Sequence, residues 1–293
     1  MRAAPAEGIG DTPAMPPRHL LPFLLALPFC LSQASVRMAS PALAEGATDS
    51  SAASALVAQL RVEPTDGEYL AWADNLLAGP VEVRLTSTGG DTLPSSPALP
   101  ARASVPAGGS TLVARLGARG TGRRGAMQLS LSAVPGSSNA RPLDVDYLAP
   151  LRGSARIDQG FEGNFSHHDA QNRYALDFAA DVGTPVHAAR AGIVMQVEAG
   201  FRRSGSRDTR DAQRANFIRI LHDDGSMALY GHLAVDGVQV QLGQQVAQGE
   251  RIGRSGNTGY STAPHLHFVV QVNRGGTLVS IPFRMPGVAQ ARH

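Results

Sequence analysis

Lysine is absent from this 293-residue sequence, in which arginine supplies all 26 basic residues. Its absence excludes carrier domains of the biotinyl or lipoyl type, because they attach their prosthetic group through a lysine. Cysteine occurs once, as Cys30 in an apolar stretch near the N-terminus, so disulfides cannot stabilise the rest of the protein. A net charge of +2 is too small to indicate nucleic-acid binding. The composition, 43% apolar and 17% charged, is that of a globular protein and excludes wholesale disorder.

Long apolar runs are also absent. The apolar stretch at residues 20–31 is too short to cross a bilayer as a helix. Arg18 and His19 precede it, and small residues follow it up to Ala42-Leu43-Ala44, which is the pattern of an export signal with its cleavage site. We therefore predict a signal peptide and leader over residues 1–44, an exported (periplasmic or secreted) bacterial protein, and no transmembrane segment after signal cleavage. Cleavage near Ala34 or Ser35, and a start at Met15 instead of Met1, are alternatives.

Short runs of alternating apolar and polar residues follow the leader, between turns rich in glycine, proline and serine. They lie at residues 60–63, 81–85, 111–116 and 127–131. Such runs predict half-buried strands, and we expect a small β-sandwich-like domain over residues 45–147. Because no catalytic constellation occurs in it, we interpret it as an accessory or spacer domain, with a substrate-binding or inhibitory role as the alternative. Residues 139–160 are typical of a linker.

Two histidines stand two residues apart in the run Pro264-His265-Leu266-His267-Phe268. In an extended strand alternate side chains share a face, so His265 and His267 point to one side and Leu266 and Phe268 pack on the other. Two imidazoles on one rigid face supply half of a metal site.

Further candidate ligands lie upstream. Asp177 stands between Leu176 and Phe178, where a buried and unpaired carboxylate would cost several kcal/mol, so it indicates a cation or a hydrogen-bonded role. His232 and the pair His167-His168 add imidazoles. A catalytic zinc uses three nitrogen or oxygen ligands and keeps one open position, so a His, Asp and His set with spare histidines as acid and base fits it.

Residues 157–283 resemble the M23 family of zinc metallopeptidases, the lysostaphin-like and LytM-like peptidoglycan endopeptidases. The resemblance rests on segments that occur in the family's order: Gly163-Asn164-Phe165-Ser166-His167, Tyr174-Ala175-Leu176-Asp177-Phe178, Gly183-Thr184-Pro185-Val186, Tyr230-Gly231-His232-Leu233, Val240-Gln241-Leu242-Gly243-Gln244-Gln245-Val246, and Gly253-Arg254-Ser255-Gly256-Asn257-Thr258-Gly259 before Pro264-His265-Leu266-His267-Phe268. It implies a mainly β fold, with an antiparallel β-sheet catalytic domain over residues 148–293 after the small sandwich.

The resemblance also implies the chemistry. It implies Zn2+ bound by His167, Asp177 and His267, with His265 activating the water and His232 assisting at the transition state, although the last two roles can be exchanged. It implies a peptidoglycan peptide as substrate and hydrolysis of its crosslinks. Which amide is cut, whether in a D-amino-acid crosslink, a glycine bridge or a protein, stays open.

One spacing departs from the family pattern. Many members place the first histidine of the metal site in a His-x-x-x-Asp motif, whereas here nine residues separate His167 from Asp177. This resembles a branch with a longer spacer after a Phe-Ser-His motif. The choice between His167 and His168 therefore stays open, and we favour His167 because it follows Phe165-Ser166 directly.

Other functions compete with an active peptidase. An M23-like protein can lack activity and serve as a cell-wall-binding protein or as an activator of another murein hydrolase, but all five positions here have the expected residue types. A cupin-type metal protein would need a glutamate shortly after His267, and residues 269–273 offer none. We interpret His187 and His222 as structural, and the charged loop at residues 200–215 either as solvated or as one wall of a groove.

Overall fold

The structure of the protein is a computed structural model that describes residues 57–88, 94–117, 128–204 and 214–288, and the backbone of residues 32–37. The signal peptide predicted for residues 1–44 lies outside these ranges apart from residues 32–37. The described parts of the chain contain no helix, and therefore none with the length and hydropathy of a membrane span.

The N-terminal part consists of two four-stranded antiparallel sheets. Its strands are β1 Ser32–Arg37, β2 Ala58–Thr65, β3 Glu68–Asn75, β4 Val81–Thr88, β5 Ser95–Ser96, β6 Ala101–Val105, β7 Ser110–Gly117 and β8 Gln128–Pro135. One sheet has the order β1-β8-β4-β6 and the other β2-β3-β7-β5. The backbone of β1 pairs with β8 although its residues lie within the range predicted as signal peptide and leader, residues 1–44, and before the predicted start of the sandwich at residue 45. Alternate residues of each strand, such as Val81, Val83 and Leu85 of β4, are buried between the sheets.

The C-terminal part is a ten-stranded antiparallel sheet with the main order β15-β12-β13-β14-β17-β10-β9. Its strands are β9 Ile157–Gln159, β10 Ala175–Ala179, β11 Pro185–His187, β12 Gly192–Glu198, β13 Asn216–Leu221, β14 Met227–Val238, β15 Gln245–Val246, β16 Arg251–Ser255, β17 His265–Asn273 and β18 Leu278–Ser280. The prediction of a mainly β fold, a small sandwich followed by an antiparallel catalytic-type sheet, is confirmed.

One face of the ten-stranded sheet packs on the main hydrophobic core of this half. Leu176 and Phe178 of β10 and Leu266 and Phe268 of β17 point into this core and are at most 1% exposed. The residues between them, including Asp177 and His267, therefore point to the opposite face. That second face holds the candidate site.

The sandwich packs directly against the ten-stranded sheet. Met195, Met227 and Leu278 are buried in the same hydrophobic cluster as the sandwich core. Gly136 follows β8 with a φ of 85°, a conformation that favours glycine, and a Cβ there would lie 2.7 Å from Cε of Met227, so the end of β8 approaches the ten-stranded sheet closely. The halves therefore share buried apolar surface, and the domain boundary at residues 147 and 148 remains a prediction.

The segment predicted as a linker, residues 139–160, differs from that expectation. Tyr147 is 3% exposed, and its ring packs edge-on against those of His222, Phe268 and Phe283. The backbone N–H of Leu143 donates to Asp224 Oδ2 at 2.9 Å. The segment lies against the sheet because its apolar side chains, including Tyr147 and Leu151, are buried in the core.

This packing predicts a difference between two neighbouring residues. Tyr147→Ala should lower the free energy of unfolding by about 3 kcal/mol or more, because it removes a buried aromatic ring from the core. Leu148→Ala should lower it by less than about 1 kcal/mol, because Leu148 is 50% exposed. Denaturant unfolding of the full chain measures both values, and equal effects would mean that the segment is only a connector.

Candidate metal site and the groups around it

The candidate site is built on a row of residues that crosses four strands. Asp177 of β10 is paired with Gln159 of β9 on one side and with His267 of β17 on the other. His267 is in turn paired with Gly231 of β14. Residues directly opposite in antiparallel strands share a face and lie close together. The register therefore places a carboxylate beside an imidazole without any contribution from loops.

Three side chains form a cluster that could hold a metal ion. The ligand atoms offered by His167, Asp177 and His267 all lie within 4.8 Å of one another. Nδ1 of His267 is 2.8 Å from Oδ1 of Asp177, and Nε2 of His167 is 3.3 Å from Oδ2. These are the three residues to which the motif resemblance gives the role of ligands.

His167 enters the cluster from the loop between β9 and β10. Its Nδ1 lies 2.8 Å from the carbonyl oxygen of Gly160 and must be the protonated nitrogen, since a carbonyl oxygen only accepts. Its Nε2 is buried and has no hydrogen-bond partner among the described residues. A buried and unpaired nitrogen beside a carboxylate fits a metal ion. His168, in contrast, is exposed at the surface.

The charge of the cluster also fits a cation. Burial would raise the pKa of Asp177, but the imidazoles of His167 and His267 beside its carboxylate hold that pKa well below its ordinary value. The carboxylate is therefore ionised although its side chain is only 13% exposed. Nitrogen and carboxylate donors in a set of three match the preference of zinc.

His232 reaches the same face by an irregularity in β14. Tyr230 and Leu233 both lie in the hydrophobic core, whereas a regular strand would separate residues three apart onto opposite faces. The pairing of β13 with β14 shifts register at this point, and His232 has a φ of 57°. The extra residue of this bulge turns His232 away from the core and towards His265, at 4.5 Å between ring centroids.

The hydrogen bonds of His232 and His265 fix their tautomers. Nδ1 of His232 lies 2.8 Å from the carbonyl oxygen of Thr258, and Nδ1 of His265 lies 2.8 Å from that of Ala263. Each Nδ1 therefore donates a proton, and each Nε2 is left as an acceptor. Burial, with the adjacent imidazoles of His265 and His267, lowers the pKa of His232 to about 3, so this ring is neutral near pH 7.

Three groups that orient the site were not anticipated from the sequence. Nε2 of His267 lies 3.2 Å from Oδ1 of Asn172, which turns Nδ1 of the ring towards Asp177. The carbonyl of Gly160 orients His167, and Gln159 contacts Asp177. The sequence around Gln159, Ile157-Asp158-Gln159-Gly160-Phe161, contains no local signal for this role, because the role depends on strand pairing.

The remaining histidines and the charged loop lie elsewhere. Nδ1 of His222 is 2.8 Å from the carbonyl oxygen of Ala191, and Nε2 of His187 is 3.2 Å from Nε of Arg152. Neither belongs to the metal cluster of the described residues. Most of the charged loop, residues 205–213, falls outside the described ranges. The prediction that this loop forms one wall of a groove therefore also concerns residues outside these ranges.

The left-handed backbone of His232 predicts an inverted order of stability for two variants. His232→Gly should be more stable than His232→Ala by about 1 kcal/mol, because a φ of 57° strains alanine and not glycine. At His265, which is not among the positive-φ residues of the described chain, alanine should be favoured over glycine by about 0.5–1 kcal/mol. Thermal or denaturant unfolding of the four variants checks the inversion, and the same order at both positions would contradict it.

Comparison with known proteins finds similarity over the part of the chain that holds most of this site. The sequence profile of Peptidase family M23 matches residues 171–279, a range that contains Asp177, His232, His265 and His267. The peptidoglycan DD-endopeptidase ShyA of Vibrio cholerae is 37% identical over 142 residues, which are 47% of this chain and 29% of that protein. The glycyl-glycine endopeptidase ALE-1 of Staphylococcus capitis is 43% identical over 103 residues, 35% of this chain and 25% of that protein.

Among solved structures, lysostaphin from Staphylococcus simulans aligns with a TM-score of 0.31 and 36% identity over 41% of this chain and 43% of that one. The chain spans less than a third of the length of the curated relatives named above. The match to the family profile and the identities to these endopeptidases confirm the resemblance that the motifs predicted: residues 171–279 match Peptidase family M23.

Proposed function

We propose that this protein is an exported, zinc-dependent endopeptidase that hydrolyses peptide crosslinks of peptidoglycan. The single observation that supports this most is the cluster of His167, Asp177 and His267 with two further imidazoles beside it, largely within the range that matches Peptidase family M23. Two relatives named as endopeptidases of glycyl-glycine bonds and of peptidoglycan support the substrate class. Export is supported by the apolar stretch at residues 20–31.

His167, Asp177 and His267 would hold the zinc. Bound there, zinc would supply Lewis acidity, lowering the pKa of a bound water and polarising the scissile carbonyl. The chain contributes the orientation of the three ligands: Gly160 fixes the ring of His167, and Asn172 fixes that of His267. Such outer hydrogen bonds set which nitrogen faces the metal.

His265 and His232 would move the protons. Nε2 of each ring is an acceptor in the resting tautomer, so either can take a proton from water. We assign this step to His265, whose Nε2 is 3.9 Å from Oδ1 of Asp177 and therefore borders the ligand cluster. Neutral His232 can hold the water by accepting a hydrogen bond, and it can donate to an oxyanion only after Nε2 gains a proton.

The assignment of ligands predicts a metal content of about one zinc per purified chain. Asp177→Asn, His267→Ala and His167→Ala should each weaken zinc binding by more than about 100-fold, because the loss of an outer-shell contact alone costs about 10–100-fold. Elemental analysis after dialysis and competition with a chromophoric chelator measure both quantities.

His168→Ala is the matched control for His167→Ala, since the residue is adjacent in sequence and exposed. It should leave zinc binding unchanged. Loss of zinc from the His168 variant alone would show that His168, and not His167, is the ligand. Retention of zinc by all three ligand variants would show that these residues do not form the zinc site.

The assignment of proton transfer predicts variants that keep zinc and lose hydrolysis. His265→Ala and His232→Gly should bind zinc normally and cleave sacculi about 100-fold to 10,000-fold more slowly, because general acid–base groups contribute rate factors of that order. Mass spectrometry of the muropeptides released from purified sacculi measures the rate and identifies the bond.

Two results would contradict this proposal in different ways. Normal hydrolysis by the His265 variant would show that His265 does not carry out the proton transfer. A wild-type protein that holds zinc and binds sacculi but releases no fragment would instead support an inactive cell-wall-binding protein or an activator of another hydrolase.

A further inference from the structure

Gln159 occupies a position that the proposed chemistry does not use. It is the last residue of β9, lies directly opposite Asp177 in the neighbouring strand, and is 9% exposed. A glutamine buried to this extent has to satisfy two donors and one carbonyl oxygen. The hydrogen-bond partners of Gln159 therefore indicate its role.

The side chain of Gln159 satisfies all of its polar atoms at the site. Nε2 donates to Ser166 Oγ at 2.7 Å and to Oδ2 of Asp177 at 3.3 Å. Oε1 accepts from the backbone N–H groups of Phe165 and Ser166, at 3.1 and 3.2 Å. One amide thus joins a proposed ligand on β10 to the loop residues immediately before another proposed ligand, His167.

The two ends of this amide act on different parts of the site. The N–H donor at Oδ2 makes the two oxygens of the Asp177 carboxylate unequal and restricts its rotation. The carbonyl holds two successive N–H groups and so fixes the backbone just ahead of His167. Ligands that are already in place when the metal arrives bind it more tightly than ligands that must first be ordered.

We infer that Gln159 is a positioning residue that sets the Asp177 carboxylate and the loop of His167 for metal binding. The inference rests on the proposed zinc site. It concerns residues of β9 and its following loop, which lie outside the range matched to the family profile.

The test compares Gln159→Met with Gln171→Met in the full chain. Methionine keeps the length of the side chain and removes the amide. Zinc affinity of Gln159→Met should fall about 10–100-fold, the usual cost of losing an outer-shell contact. Gln171, also 9% exposed, has an Oε1 without a hydrogen-bond partner in the described part of the chain, and its variant should stay within about twofold of wild type.

A second measurement needs no metal. Amide hydrogen exchange at Phe165 and Ser166 should accelerate in metal-free Gln159→Met and not in Gln171→Met, because only the first variant removes their acceptor. If Gln159→Met folds poorly, Gln159→Asn retains a polar amide but withdraws it from Asp177, and it should also bind zinc more weakly. A folded Gln159 variant with wild-type zinc affinity would overturn the inference and leave the zinc site intact. Absence of zinc from the wild type would overturn the proposed function itself.

Discussion

The register between β10 and β17 is the constraint on which the site depends. Asp177 and His267 are paired across these strands, and a slip of one residue would turn either side chain to the opposite face. The register is held from the other side of the sheet, where Leu176, Phe178, Leu266 and Phe268 enter the core. Each such burial contributes about 1.5–3 kcal/mol, so the apolar residues fix the position of the polar ones.

The same face of the sheet also receives the N-terminal sandwich. Met227 and Gly231 lie on β14 four residues apart and share a face, with Met227 in the sandwich cluster and Gly231 in the row of the site. Four residues of strand span roughly 13 Å. Between them, Leu229 and Val269 form a small buried cluster with Phe217. The sandwich therefore bounds the site-bearing face at one end, which is a closer relation than a spacer on a flexible linker would have.

Local sequence patterns predicted which side chains of a strand share a face, but they did not predict which residues of other strands lie opposite them. Alternation in residues 264–268 places His265 and His267 on one face, and the structure agrees with that expectation. The pairing of Asp177 with Gln159 could not be predicted, because strand register is decided by contacts between segments far apart in sequence.

At His232 the local pattern predicts the wrong face. Strict alternation after Tyr230 would place His232 in the core, and only the bulge brings it to the site. The burial of Tyr147 could not be predicted, because the proline and glycine residues near it are also typical of linkers.

The four histidines of the site share one mode of orientation. In each ring one nitrogen faces an oxygen of the chain, and the other nitrogen faces the site. His167, His232 and His265 use Nδ1 for a backbone carbonyl and present Nε2. His267 is the exception. Its Nε2 hydrogen-bonds to Asn172, and its Nδ1 faces the site. Its strand position explains the difference: directly opposite Asp177, the nitrogen nearer the backbone is the one within reach of the carboxylate. Three of the four orientations are thus set by main-chain oxygens, so the loops that supply Gly160, Thr258 and Ala263 constrain the chemistry through their backbone conformation more than through their side chains.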